Sequence, residues 1–194
     1  MINKVLKLLA AKHARGFTLV ETLIAVLMLA TAIVGPLAIA SKGLTSTLIA
    51  KDQFIAFYLA QDALEQIRFM RDSACLTGPV SAQGDCDSNV WLGTLSACTG
   101  ATGCYFDSLR TGITPPTACS SACPPLNYDS TSYSYSYTTG TVTPQKFVRT
   151  IKLIPNPSGT FADQVQVVVT MSWTDVAGVA HSPVTLRDTL FRWQ

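Results

Sequence analysis

Residues 17–40, FTLVETLIAVLMLATAIVGPLAIA, form an apolar run interrupted by a single charge, Glu21. As a helix this run rises about 36 Å, enough to cross a hydrocarbon core of ~30 Å. The rest of the 194-residue chain leaves room for one ordinary domain beyond the run, or for two small ones. The lysines and arginine ahead of the run (Lys4, Lys7, Lys12 and Arg15) precede any acidic residue. That asymmetry predicts an N-terminus on the cytoplasmic side and an extracytoplasmic chain after about Ala40.

The same four cations account for the formal charge of +2. Without them ten basic and twelve acidic side chains remain, a net charge of −2. Between Ser73 and Gln145 the only basic residue is Arg110, so no phosphate-binding stripe exists there and no nucleic-acid partner is predicted. Charged residues make up only 13% of the chain, low for a cytosolic globular protein.

Two ordinary explanations of the apolar run remain open. Ala38–Ala40 could serve as a signal-peptidase site, but a secretory core is usually 7–15 residues long and has no use for Glu21 or Pro36. A plain membrane anchor explains the length but not the glutamate. An isolated carboxylate in a spanning helix costs about 2.5–3.5 kcal/mol near its centre unless it is paired, protonated or close to the interface.

The stretch RGFTLVETLIA resembles the prepilin leader of type IV pilins and of type II secretion pseudopilins: a short basic leader, glycine, phenylalanine, and a glutamate at the fifth position of the mature chain. The resemblance implies cleavage between Gly16 and Phe17 by a prepilin peptidase, which also methylates the new amine of Phe17. It implies an assembly role for Glu21, whose carboxylate meets the N-terminal amine of a neighbouring subunit. An opposite charge supplied by a neighbour makes a carboxylate in lipid tolerable. The implied partners are the prepilin peptidase/N-methyltransferase, other pilin or pseudopilin subunits, the inner-membrane assembly platform and membrane lipid. The implied location is a single-pass cytoplasmic (inner) membrane protein that reaches the cell surface or pilus after assembly. Gly35-Pro36 is a candidate helix breaker, because proline removes a backbone hydrogen bond and crowds the preceding turn; an ordinary membrane-helix proline is the other reading.

Beyond the run, Leu44, Leu48, Ile55, Leu59, Ala63, Ile67 and Met70 recur at helical spacing opposite Gln61, Asp62, Glu65, Gln66, Arg68 and Arg71. Glu65 and Arg68 stand three apart and can pair. Joined to the apolar run, this predicts a helix of about 84 Å from Phe17 to Asp72. LAQDALEQIR resembles the corresponding segment of minor pilins of the PilV type and of I-type pseudopilins, which implies a minor, tip-associated subunit.

Six cysteines, Cys75, Cys86, Cys98, Cys104, Cys119 and Cys123, fall within one 49-residue window. Their even number, downstream of a membrane segment, points to disulfides in an oxidising compartment, with the pairing open. The rival is a four-thiolate zinc site using Cys98-x5-Cys104 and Cys119-x3-Cys123, spacings looser than usual for structural zinc. Asp85, Asp87 and Asn89 alternate like the first ligands of a calcium loop, but Val90 and Ser96 stand where glycine and glutamate belong. No metal and no cofactor is predicted.

After Asp129 the pattern becomes β. SYSYSYT places Tyr133, Tyr135 and Tyr137 on one face, as core packing or as a sugar-binding row. KFVRTIKLIP, DQVQVVVTMSW and VTLRDTLFRW follow, separated by turns at residues 139–140, 156–159 and 175–178. The closing segment again resembles the last hairpin of PilV-type and I-type proteins. The predicted fold is α+β, a long N-terminal helix packed on a C-terminal antiparallel sheet of about four strands. The predicted divisions are a leader (1–16), a membrane helix (17–40), an amphipathic extension (41–72), a cysteine-rich loop region (73–129) and the sheet (130–194). Catalysis finds no constellation: His13 lies in the leader and His181 stands alone on a hairpin turn, without an acid pair, phosphate loop or nucleophile elbow.

Overall fold

The computed structural model describes residues 16–78, 86–87, 91–108, 115–155 and 163–192. The leader cations and His13, Arg110, the Asp85, Asn89 and Val90 of the calcium-like stretch, and the 156–159 turn lie outside these residues. The chain divides into two compact units, Met1–Leu48 and Ile49–Gln194. One helix, α1 (Leu19–Thr77), supplies most of the described part of the first unit and the opening element of the second.

In the second unit the helix packs on an antiparallel sheet, as the periodicities predict. Five strands in the order β2-β1-β5-β6-β7 make up this sheet: β1 (Cys104–Tyr105), β2 (Thr117–Ala118), β5 (Phe147–Pro155), β6 (Gln164–Trp173) and β7 (Val184–Phe191). The three long strands form a meander, with Phe147 opposite Trp173 and Pro155 opposite Val165 at the two ends of the β5–β6 ladder. Alternate residues of β5 and β6 (Phe147, Ile151 and Leu153; Val165, Val167, Val169, Met171 and Trp173) turn inward and are buried, the period-2 signature of a half-covered sheet.

The helix meets that face through small residues. Ala56, Ala60, Ala63 and Ile67 are completely buried, whereas Leu44 and Leu48 of the predicted stripe are exposed. The three alanines let the helix backbone approach the sheet, so the contact line is set by what is small as well as by what is apolar. Glu65 and Arg68 pair at 2.8 Å, and Arg68 also holds Asp188 of β7 at 3.0 Å, tying helix to sheet.

The tyrosine segment is not a strand of this meander. Its middle, β4 (Ser134–Ser136), pairs instead with β3 (Asn127–Asp129) in a separate two-stranded sheet. Tyr135 and Tyr137 keep the expected inward face, Tyr135 packing on Phe147 at 5.4 Å and Tyr137 on Tyr105 at 4.8 Å between ring centroids. Tyr133 adopts a positive φ of 53° and is exposed, and Ser136, expected outside, is buried and bonded to Thr139. The break follows from the turn: Asp129 accepts hydrogen bonds from the Thr131 N–H and the Ser132 hydroxyl, which closes the chain tightly before β4.

All six cysteines are oxidised. Cys75 pairs with Cys86, Cys98 with Cys104 and Cys119 with Cys123, with Cα–Cα separations of 5.1, 4.7 and 4.9 Å. The two arms of the zinc alternative are therefore each closed on themselves. The bonds fasten a segment of low periodicity: one ties the last turn of α1, another ties a 3-10 helix (Gly93–Cys98) to β1. Each loop is short, which limits the entropic stabilisation from any one bond.

Candidate functional site

The chemistry-bearing residues of the sequence gather at the start of α1. Thr18 is its N-cap, with the Glu21 N–H donating to Thr18 Oγ1 at 3.2 Å and the Thr22 N–H to the Thr18 carbonyl at 3.1 Å. Thr18-x-x-Glu21 thus occupies the Ncap and N3 positions of a capping box. This local role was legible in the residue spacing and escapes a reading that treats Glu21 only as a charge in lipid. A carboxylate in the first helical turn also faces the positive end of the helix dipole.

Gly16 stands just outside this turn. A methyl group placed on it would meet nothing within 4 Å, and the same is true of Gly35. Among the described residues, nothing in the local packing demands glycine at position 16.

α1 contains an 18-residue window near its start that is apolar enough to cross a membrane, and none of that window is buried within the molecule. Phe17, Leu19, Leu27, Leu37 and Ile39 are each about two-thirds exposed or more. A run of this kind demands lipid or other protein as cover. Threonines do not interrupt it: the Thr31 hydroxyl donates back to the carbonyls of Leu27 and Met28 at 3.1 and 3.0 Å. The helix continues through Gly35 and Pro36.

Two polar arrangements in the second unit have no counterpart in the sequence reading. Arg149 sits at an inward position of β5 and is 1% exposed. Its guanidinium donates to the Phe106 carbonyl at 2.6 Å, to the Leu59 carbonyl at 3.3 Å and to Asp62 at 3.2 Å, between the rings of Phe106 and Tyr137. The strand parity of Phe147, Arg149, Ile151 and Leu153 was the available signal. His181, which the sequence places alone on a hairpin turn, is half-buried, stacked on Trp173 and 3.2 Å from Asp175.

Among the described residues no group of three or more His, Cys, Asp or Glu side chains is placed to hold a metal ion. A cleft of about 740 Å³ is lined by Asp107, Asp129 and five hydroxyl side chains, including Ser134 and Thr138. Backbone and hydroxyl donors at Thr131 and Ser132 hold the Asp129 carboxyl below its usual range. Both carboxylates are engaged: Asp129 within its own turn, and Asp107 across the cleft, accepting from the Tyr137 N–H and the Thr138 hydroxyl.

Residues 11–35 match the family model of the prokaryotic N-terminal methylation motif. No curated protein and no solved structure matches the chain. The matched residues include Gly16, Phe17, Thr18 and Glu21 and the apolar helix that follows. Residues 11–35 of this chain therefore carry a prokaryotic N-terminal methylation motif.

Proposed function

We propose that the chain is a minor structural subunit of a type IV pilus or a type II secretion pseudopilus. A prepilin peptidase cuts between Gly16 and Phe17 and methylates the Phe17 amine. The mature chain waits in the cytoplasmic membrane with residues 17–40 spanning it and the cysteine-bearing unit outside. It then enters a filament, at the tip or at initiation, with Glu21 meeting the amine of a neighbour. Gly35-Pro36 gives the helix a place to yield during that transfer.

The observation that carries this reading is the conjunction at the start of α1. A glycine that the local fold does not require precedes a capped turn bearing one carboxylate, and an uncovered apolar helix follows. The disulfides and the helix-on-sheet unit fit an oxidising, extracytoplasmic setting. The minor role rests on the resemblance of LAQDALEQIR and of the closing hairpin.

The reading is tested by expressing a tagged chain in cells with and without the filament machinery and shearing their surfaces. The chain is expected in the sheared filament fraction only when the machinery is present. Retention in the membrane fraction in both cells would mean an anchored module that never polymerises.

A further inference from the structure

β7 is an edge strand: β6 pairs with one side of it, and among the described residues no strand pairs with the other. One step past the end of the β6–β7 ladder, the Arg192 N–H donates to the Asp163 carbonyl at 2.8 Å. Bonding alternates along an antiparallel ladder, so by parity Val184, Leu186, Asp188 and Leu190 bond β6. Thr185, Arg187, Thr189 and Phe191 then present their N–H and C=O groups at the free edge.

Half of that edge is closed by the chain itself. The Asp188 carboxylate accepts the Thr189 N–H at 2.9 Å, and the Phe191 carbonyl accepts from the Arg71 guanidinium at 3.3 Å. Thr185 and Arg187 carry no such cap among the described residues. An edge left open is a template for another strand.

Beside the open half, α1 and β7 flank an apolar groove of about 460 Å³, with Ala50, Phe54 and Phe57 on the helix and Val184 and Leu186 on the strand. Phe54 is 65% exposed there. Strand parity sends Thr185 and Arg187 to the opposite, outer face of the sheet. On that face Arg187 stands in register with Val168 and, through it, with Lys152. Neither cation has an acidic partner among the described residues.

We infer that the Val184–Arg187 half of β7 takes an extended segment of another protein as a sixth strand of the sheet. The segment reads acidic, apolar, any, apolar in antiparallel alignment. Its acidic residue stands opposite Arg187 on the cationic face. Its two apolar side chains, opposite Leu186 and Val184, enter the groove against Phe54 and Phe57. The open backbone groups select a polypeptide, because a lipid tail or a sugar fills space without offering donors and acceptors at strand spacing. The Arg187–Lys152 row selects the acid. This docking is independent of whether the chain polymerises.

The test uses the mature chain in lipid nanodiscs and a fluorescent peptide, Thr-Glu-Leu-Thr-Val-Ser, followed by anisotropy. Saturable binding is expected. Methylating the backbone nitrogens of the peptide's Glu and second Thr, which face β7, is expected to weaken binding by at least about tenfold; methylating those of Leu and Val costs far less. Arg187→Glu is expected to reverse a two- to fivefold preference, roughly, for this peptide over one with Lys in place of Glu. Thr185→Pro removes an open donor that the β6 ladder does not use, and is expected to weaken binding about three- to tenfold. In hydrogen exchange the peptide is expected to protect the Thr185 and Arg187 amides. Absence of saturable binding would overturn the added strand. Equal binding of the peptide methylated at Glu and Thr would also overturn it, as adsorption to groove or lipid. Protection of the same amides that rises with chain concentration, without peptide, would assign the edge to a second copy instead.

Discussion

Glu21→Gln is expected to leave cleavage and membrane insertion intact and to lower recovery in sheared filaments by at least about tenfold. In lipid the carboxylate is tolerable when a neighbour's amine pairs with it, and losing an interaction of about 2 kcal/mol at each insertion shifts the equilibrium about thirtyfold. Glutamine retains the shape of the side chain at N3 but not its charge. The Glu21 backbone N–H still donates to Thr18 Oγ1, so the first turn of α1 survives. Thr18→Ala is the complementary change. It removes the cap at a cost of about 1 kcal/mol but keeps the carboxylate, and it is expected to assemble far better than Glu21→Gln. Equal defects in the two variants would assign the glutamate to helix capping and remove its assembly role.

Arg149→Ala is expected to destabilise the second unit by about 3–5 kcal/mol, the range for truncating a large buried side chain and leaving its hydrogen-bond partners unsatisfied. The loss has three parts: the bonds to the Phe106 and Leu59 carbonyls, the stacking on Phe106 and Tyr137, and a cavity where the side chain lay. The Asp62 contact matters less, because that carboxylate is about half exposed and an ion pair open to solvent contributes at most about 1 kcal/mol. Asp62→Asn is therefore expected to cost under about 1 kcal/mol, while Arg149→Met, which keeps much of the packing, falls between the two. Urea unfolding of the three variants, followed by near-UV circular dichroism, ranks them. An Asp62→Asn loss as large as that of Arg149→Ala would make the ion pair, not the carbonyl bonds and packing, the main contribution.

The parts of this fold that were legible in the sequence are those with a single dominant period. Residues 17–40 are apolar on every face and read as a helix that needs outside cover, and the alternation in β5 and β6 leaves one face to bury. The tyrosine segment misled because its alternation continues past the turn that Asp129 closes, and hydrogen bonds at Thr131 and Ser132 outrank side-chain parity. The helix stripe was drawn through Leu44 and Leu48 because large side chains carry most apolar area. Both lie in the first unit and are exposed, whereas the buried line of the second unit runs through the small residues Ala56, Ala60 and Ala63.

Polar residues inside the second unit were the least legible. Asp52 and Arg149 read as surface charges by type, and only their registers, one helix face and one strand parity, place them inside. The cysteines were readable as disulfides from their number and setting, whereas their pairing needed the fold. The N-terminal site was the reverse case: Gly16, Phe17 and Glu21 stand out by residue type and spacing alone, and what the structure adds is the Thr18 cap and an apolar surface left without cover.

The most direct test is the mass of the N-terminal peptide of the mature chain, purified from membranes of a bacterium that has a prepilin peptidase. The predicted peptide begins at Phe17 and carries one methyl group on its α-amine. A chain that begins near Ser41, or one that retains Met1, would contradict the processing from which storage and assembly follow.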